Sequence, residues 1–192
     1  MPGSGKTTVV RLAGRGRRFA FIANNEGSAS SLEGVAAVTD FYPLKSPCAR
    51  IRQFLYRADM HLNDDVPVIV SEPPGNCMET SAPMLNPIFA SRKGDYTVGA
   101  LITVIDGSRL TVPISRRSTD GLRLHNMVFE SDCVCVTRSD QLDEDVRSSI
   151  SDAIKGINDT CSIVFFSESG EGISEMSEKI FGDSVYSRPL FC

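Results

Sequence analysis

Several things are missing from this sequence, and each absence removes a class of explanation. No apolar run approaches the ~18 residues that a membrane-crossing helix needs, and the Gly- and Ser-containing start has no apolar secretory core. Basic residues are not in excess. The 20 Lys and Arg face 24 Asp and Glu, and the net charge of -4 argues against a dedicated nucleic-acid binder. Six cysteines are scattered over 192 residues without framework spacing, as reduced thiols are rather than a disulfide scaffold. The two histidines, His61 and His125, lack neighbours at metal-ligand spacing; both read as surface or capped residues, and neither as a catalytic base. No Ser/His/Asp arrangement or glycosidase-type carboxylate pair stands out, and there is no repeat, low-complexity tract or dividing linker. With 41% hydrophobic and 23% charged residues, the expectation is a soluble, cytoplasmic, single domain spanning 1–192, without a membrane or nucleic-acid partner.

What is present is a series of short apolar runs, each stopping at a polar or Gly-rich cluster. Phe19-Ala20-Phe21-Ile22-Ala23 ends at Asn24-Asn25-Glu26-Gly27, and Val66-Pro67-Val68-Ile69-Val70 ends at Glu72-Pro73-Pro74-Gly75. Residues 98–105 end at Asp106-Gly107, residues 133–136 at Thr137-Arg138-Ser139-Asp140, and residues 163–166 at Ser167-Glu168-Ser169-Gly170. Strands buried on both faces read this way. Helix-like stretches alternate with them: Ile51, Phe54, Leu55 and Ala58; Val146, Ile150, Ala153, Ile154 and Ile157; and Ile173, Met176 and Ile180. A further strand is expected within residues 35–41. The pattern predicts an α/β fold with three layers around a mostly parallel central sheet, and a site built from the five loops at the strands' carboxyl ends.

The most specific motif opens the chain. Pro2-Gly3-Ser4-Gly5-Lys6-Thr7-Thr8 matches the P-loop pattern Gly-x-x-x-x-Gly-Lys-[Ser/Thr], except that the first Gly would fall one position before Met1. Glycines let the backbone curl so that successive N–H groups face phosphate oxygens. Gly3, Ser4, Gly5, Lys6, Thr7 and Thr8 form this anion cradle, with Lys6 reaching the β- and γ-phosphates and the Thr7 hydroxyl on Mg²⁺. The helix beginning near Lys6 adds its positive end to the same site. A P-loop is normally delivered by a buried strand, so the expectation is that this first strand is missing, through a truncated chain or a misassigned start. Arg11, Arg15, Arg17 and Arg18 form a basic cluster nearby, read as a solvated face.

Two later loops fit a purine base. Asp140 follows a buried strand, and a carboxylate there accepts the N1–H and 2-amino hydrogens of guanine, a pair that adenine does not offer. Backbone N–H groups of the Ser167-Glu168 loop are placed to meet the guanine O6. Either loop alone is equally readable as a polar turn with Asp140 or Ser167 as an N-cap. Their order behind a P-loop favours the base.

Taken together, these pieces resemble the CobW/HypB/UreG family of GTPases, of the SIMIBI class of P-loop proteins. The resemblance rests on residues 2–8, Asn25-Glu26-Gly27, Glu72-Pro73-Pro74-Gly75, Asp106, residues 137–140 and residues 167–173. It implies slow Mg²⁺-dependent GTP hydrolysis, frequent homodimers, and service in metal or cofactor insertion into a metalloenzyme or corrinoid protein. It also implies catalytic roles for Lys6, Thr7 and Glu72, with Glu72 at the Mg²⁺ and water end and Gly75 sensing the γ-phosphate. There are departures. The guanine motif is Thr137-Arg138-x-Asp140 where Asn-Lys-x-Asp is usual, with Thr137 taking over part of the Asn hydrogen bonding and Arg138 covering the base. The family's Cys-x-Cys-Cys motif is absent; Cys48 stands beside Pro47, and Cys77 follows Gly75. Cys48, Cys77 and Glu26 are candidate ligands for Zn²⁺ or Ni²⁺, completed across a two-fold axis. Cys133, Cys135 and Cys161 read as core, and Cys192 as a tail thiol.

No residue stands out as positioning the attacking water, so turnover is expected to be slow and to be completed by dimerisation. A P-loop ATPase or kinase and a non-catalytic nucleotide-sensing scaffold remain the alternatives.

Overall fold

Strands buried on both faces need a helix layer above and another below, and the computed structural model is arranged in that way. It describes residues 3–23, 26–41, 47–62, 66–72, 84–91, 96–110, 114, 116–183 and 185–186. In chain order, α1 is Lys6–Ala13, β1 Ala20–Ala23, α2 Glu26–Ser30, β2 Val38–Phe41, α3 Pro47–Leu62 and β3 Ile69–Ser71. Next come α4 Asn86–Ser91, β4 Ile102–Asp106, α5 Thr119–Glu130, β5 Cys133–Thr137, α6 Glu144–Lys155, β6 Ser162–Phe166 and α7 Ile173–Phe181.

All strand pairs are parallel. The expected α/β fold with parallel strands between helix layers is the one observed, and among the described residues the ladders run β2-β1-β3 and β4-β5-β6. Helix α1 packs against both sets. Val9, Leu12 and Ala13 of α1 pack with Val104, Cys135, Val164 and Phe166 of the second sheet, while Val10 packs on Phe19, Phe21 and Ala23 at the first. The Phe181 ring of α7 meets Phe19 at 5.0 Å between centroids.

Strand β5 shows how the period of two makes three layers. Cys133 and Cys135 face α1 and α7, whereas Val134 and Val136 face Leu124 and Val128 of α5 and Ile150 and Ile154 of α6. Both isoleucines are fully buried, and truncating either to Ala should cost about 2–5 kcal/mol. In the first sheet Ile22 turns to Phe54, Leu55 and Ala58 of α3, and Phe21 to Leu32.

Helix α6 starts where its acidic opening predicts, with Asp143 accepting from the Val146 N–H and Glu144 and Asp145 in the first turn. Helix α5 lies outside the amphipathic stretches named from the sequence. Its signals are Ser118, which accepts from the Gly121 N–H, and the i, i+4 pair Leu124 and Val128. Gly121 inside the helix weakens that signal. Two strands are shorter than the apolar runs suggest. Ladder pairing in β3 begins at Ile69 and in β4 at Ile102, while Gly99 instead bridges Val185 in antiparallel fashion.

Register sets the site. Asp106 lies opposite Thr137, and Thr137 opposite Phe166, so β4, β5 and β6 end level and their following loops gather at one edge.

Candidate functional site: a nucleotide cleft

At the amino end of α1, Gly3 and Gly5 both adopt left-handed backbone, with φ of 75° and 85°. An L side chain is disfavoured there, which is the reason for glycine at both positions. Gly5 offers no side-chain cap to α1 and the first turn contains no acidic residue, so the positive helix end is left to an anion. Ser4 between them is buried.

The loop is tethered from the second sheet. The Thr137 hydroxyl at the end of β5 lies 3.0 Å from the Ser4 carbonyl and 3.1 Å from that of Ile105, its one hydrogen serving two acceptors. A Cβ built on Gly5 would stand 3.3 Å from Thr137 Cγ2, so the two backbones approach closely. On the other side Glu72, just past β3, pairs with Lys6 at 3.4 Å through Oε1, and its buried Oε2 has no partner among the described residues. Lys6 thus stands between the ends of the two sheets.

Beyond Thr137, Arg138 is the only described non-glycine residue at positive φ (57°). Its guanidinium pairs with Asp106, which Arg109 also approaches at 3.3 Å and which accepts from the Ser108 N–H and hydroxyl. Asp106 therefore draws the charged end of Arg138 toward β4, leaving its stem beside the cleft. Asp140 is exposed, in a 3-10 turn, Ser139–Gln141. Neither Asp140 nor Ser167 caps the helix that follows, because α6 is capped by Asp143 and α7 begins after Gly172. Ser167 is buried, its N–H donating to the Glu171 carbonyl at 3.1 Å, while Glu168 is exposed.

These parts share one cleft of about 230 Å³, lined by Gly5 and Thr8 of the P-loop, by Thr137, Arg138 and Asp140, and by the loop at Ser167 and Glu168. The glycine turn at the start of α1 and the Asp140 carboxylate thus open onto the same cleft. Over residues 1–165 the chain matches the family described as CobW/HypB/UreG, nucleotide-binding domain. It belongs to that family. No curated protein sequence matches it. CobW/HypB/UreG proteins bind GTP with Mg²⁺ and work with client metalloproteins. The matched span stops within β6, so the loop after Phe166 and all of α7 lie beyond it.

The CobW/HypB/UreG assignment gives Mg²⁺ a place to be tested against the residues present. The buried Glu72 Oε2 beside Lys6 is an acceptor without a donor among the described residues, which suits a cation or its water. Thr7, whose hydroxyl donates to Ser28 Oγ at 3.1 Å, supplies an oxygen of the right type. The residues fit.

The transition-metal expectation finds less. Glu26 opens α2 and Cys48 lies in the first turn of α3, but their side chains are outside the described residues, as are Gly75 and Cys77 entirely. Among the described residues no cluster of three or more His, Cys, Asp or Glu is arranged to hold a metal. Cys133, Cys135 and Cys161 are buried thiols, and burial pushes Cys133 and Cys135 up. His61 is more engaged than a surface residue: its Nε2 lies 3.0 Å from Asp40, which Arg57 also holds at 2.5 Å. Of the basic cluster, Arg15, Arg17 and Arg18 are exposed as expected, but Arg11 is half-buried and borders a second hollow with Thr7, Thr8 and Ser31. No helix among the described residues is long and apolar enough to cross a membrane.

Proposed function

We propose that this chain binds GTP with Mg²⁺, hydrolyses it slowly, and uses the nucleotide state to gate metal or cofactor insertion into a metalloenzyme or corrinoid client. The observation that carries the reading is the common cleft of the P-loop, Asp140 and the Ser167-Glu168 loop. In this reading Gly3, Ser4, Gly5 and Thr8 offer backbone N–H groups and the helix end to the phosphates, and Lys6 neutralises charge on the β- and γ-oxygens. Binding of the phosphates separates Lys6 from Glu72 and leaves the carboxylate for the cation. Thr7 and Glu72 would hold Mg²⁺, which when bound supplies charge neutralisation at the transferring phosphoryl group. Thr137 holds the P-loop to β5, Arg138 covers the base with its stem, and Asp140 accepts the guanine hydrogens. Water attacks the γ-phosphate in line with the leaving oxygen. The Glu72-Pro73-Pro74-Gly75 segment reads the γ-phosphate through Gly75, in the manner of order–disorder switches. A homodimer placing Glu26, Cys48 and Cys77 about a two-fold axis would provide the site for the Zn²⁺ or Ni²⁺ cargo.

Calorimetry with non-hydrolysable GTP and ATP analogues and Mg²⁺ tests the reading. Expected are heat with the GTP analogue, much less with the ATP analogue, and loss of binding in Lys6→Ala. Preference for ATP with phosphate transfer to a small acceptor would establish a kinase or ATPase instead. Binding without turnover, even with metal and client present, would establish a sensing scaffold.

A further inference from the structure

We infer that Arg147 and Glu171 form a strut behind the cleft that sets the distance between the two base-facing loops, and thereby the preference for guanine. The inference rests on the guanine reading above and adds to it two residues that do not line the cleft.

Glu171 lies in the loop after β6 and Arg147 in the first half of α6. The Arg147 guanidinium donates to both Glu171 carboxylate oxygens, at 2.6 and 3.0 Å, and to the Ser139 carbonyl at 2.8 Å. The Ser139 hydroxyl donates to the same carboxylate at 2.5 Å. The guanidinium also stands 5.2 Å from the Phe165 ring centroid, which fixes its plane against β6. Ser139 is fully buried and immediately precedes Asp140. The Glu171 carbonyl accepts from the Ser167 N–H, closing the other loop. One guanidinium and one carboxylate therefore join loops 32 residues apart, at the residue before Asp140 on one side and at the closure of the Ser167 loop on the other.

A paired carboxylate–guanidinium contact is directional and short, so it holds a span more firmly than a single neutral hydrogen bond does. Guanine touched by Asp140 on one edge and by the Ser167-Glu168 loop at O6 requires that span to be held. Adenine offers Asp140 no pair of donors, so it gains little from the fixed distance. Loss of the strut makes both loops order on binding, a cost that falls on GTP rather than on ATP.

The test uses the full chain with Mg²⁺ and measures GTP and ATP affinity for wild type, Arg147→Met, Glu171→Gln and the exchanged pair Arg147→Glu with Glu171→Arg. Met keeps the stem over Phe165, and Gln keeps an acceptor for Ser139. Both single variants are expected to lower the GTP-to-ATP affinity ratio about tenfold, with ATP affinity unchanged. The exchanged pair recovers part of the ratio. Without nucleotide, amide exchange in residues 139–141 and 168–171 speeds up together in Arg147→Met. A wild-type chain that does not distinguish GTP from ATP refutes the guanine reading, and the strut's role in specificity with it. A wild-type preference kept within twofold by both single variants overturns the strut alone, as does an equal fall for both nucleotides or unchanged amide exchange.

Discussion

Replacing Thr137 by Val removes a hydroxyl and keeps the branched shape, which isolates the tether between β5 and the P-loop. The residue is buried, and its hydroxyl reaches the Ser4 and Ile105 carbonyls at 3.0 and 3.1 Å. Taking a donor from a buried acceptor costs about 1–3 kcal/mol. Because a single hydrogen serves both carbonyls, the lower part of that range, about 1–2 kcal/mol, applies. For a chain of this size 1 kcal/mol moves the melting midpoint by about 2–4 °C, so the variant should melt about 2–8 °C lower. The effect on nucleotide is separate. A P-loop no longer held at Ser4 has to be ordered on binding, and fixing one residue's backbone costs about 1–2 kcal/mol, or roughly a tenfold loss of affinity. Thermal melts and GTP calorimetry on Thr137→Val and Thr137→Ser make the comparison, the serine keeping the donor. Expected is a serine variant close to wild type in affinity and a valine variant weakened in both measurements. A valine variant that melts and binds like wild type would refute the tether.

Gly5→Ala should be more damaging than Gly3→Ala, although both glycines have left-handed backbone. A side chain at Gly5 would also press on Thr137 at 3.3 Å, while nothing lies within 4 Å at Gly3. Melting curves should show a loss of about 1–2 kcal/mol from the dihedral alone at either site, with phosphate binding falling further in Gly5→Ala. Burial and raised thiol values predict that Cys133 and Cys135 resist alkylation in the native protein and react only after unfolding; peptide mapping by mass checks this. Acid should release the strut late. Hydrogen bonds from Arg147, then Ser139, hold the Glu171 carboxyl below its ordinary range despite the opposing effect of burial. Its contribution is therefore complete above the ordinary glutamate value and lost as pH falls through the lowered one. The difference in GTP preference between wild type and Glu171→Gln should persist through mild acid and disappear only below that range. A difference that vanishes already near neutrality would contradict this.

Much of the architecture is carried by local pattern. A strand buried on both faces has to be apolar throughout, so β1 and β5 are visible as runs, and α6 shows through its spacing and its acidic first turn. Gly3, Gly5, Lys6 and Thr7 form a contiguous motif because a phosphate nest is made by consecutive residues. What depends on register and packing is not written locally. No spacing rule brings Thr137 to Ser4 across 133 positions, or Arg138 to Asp106 across 32. These contacts exist because parallel strands ending level put their loops side by side. The same holds for Arg147 and Glu171, whose attraction is ordinary but whose meeting needs α6 and the loop after β6 on one edge of the sheet. The strand order, β2-β1-β3 and β4-β5-β6 among the described residues, likewise belongs to the tertiary structure, since an apolar run states that a strand is buried and not which neighbour it pairs with.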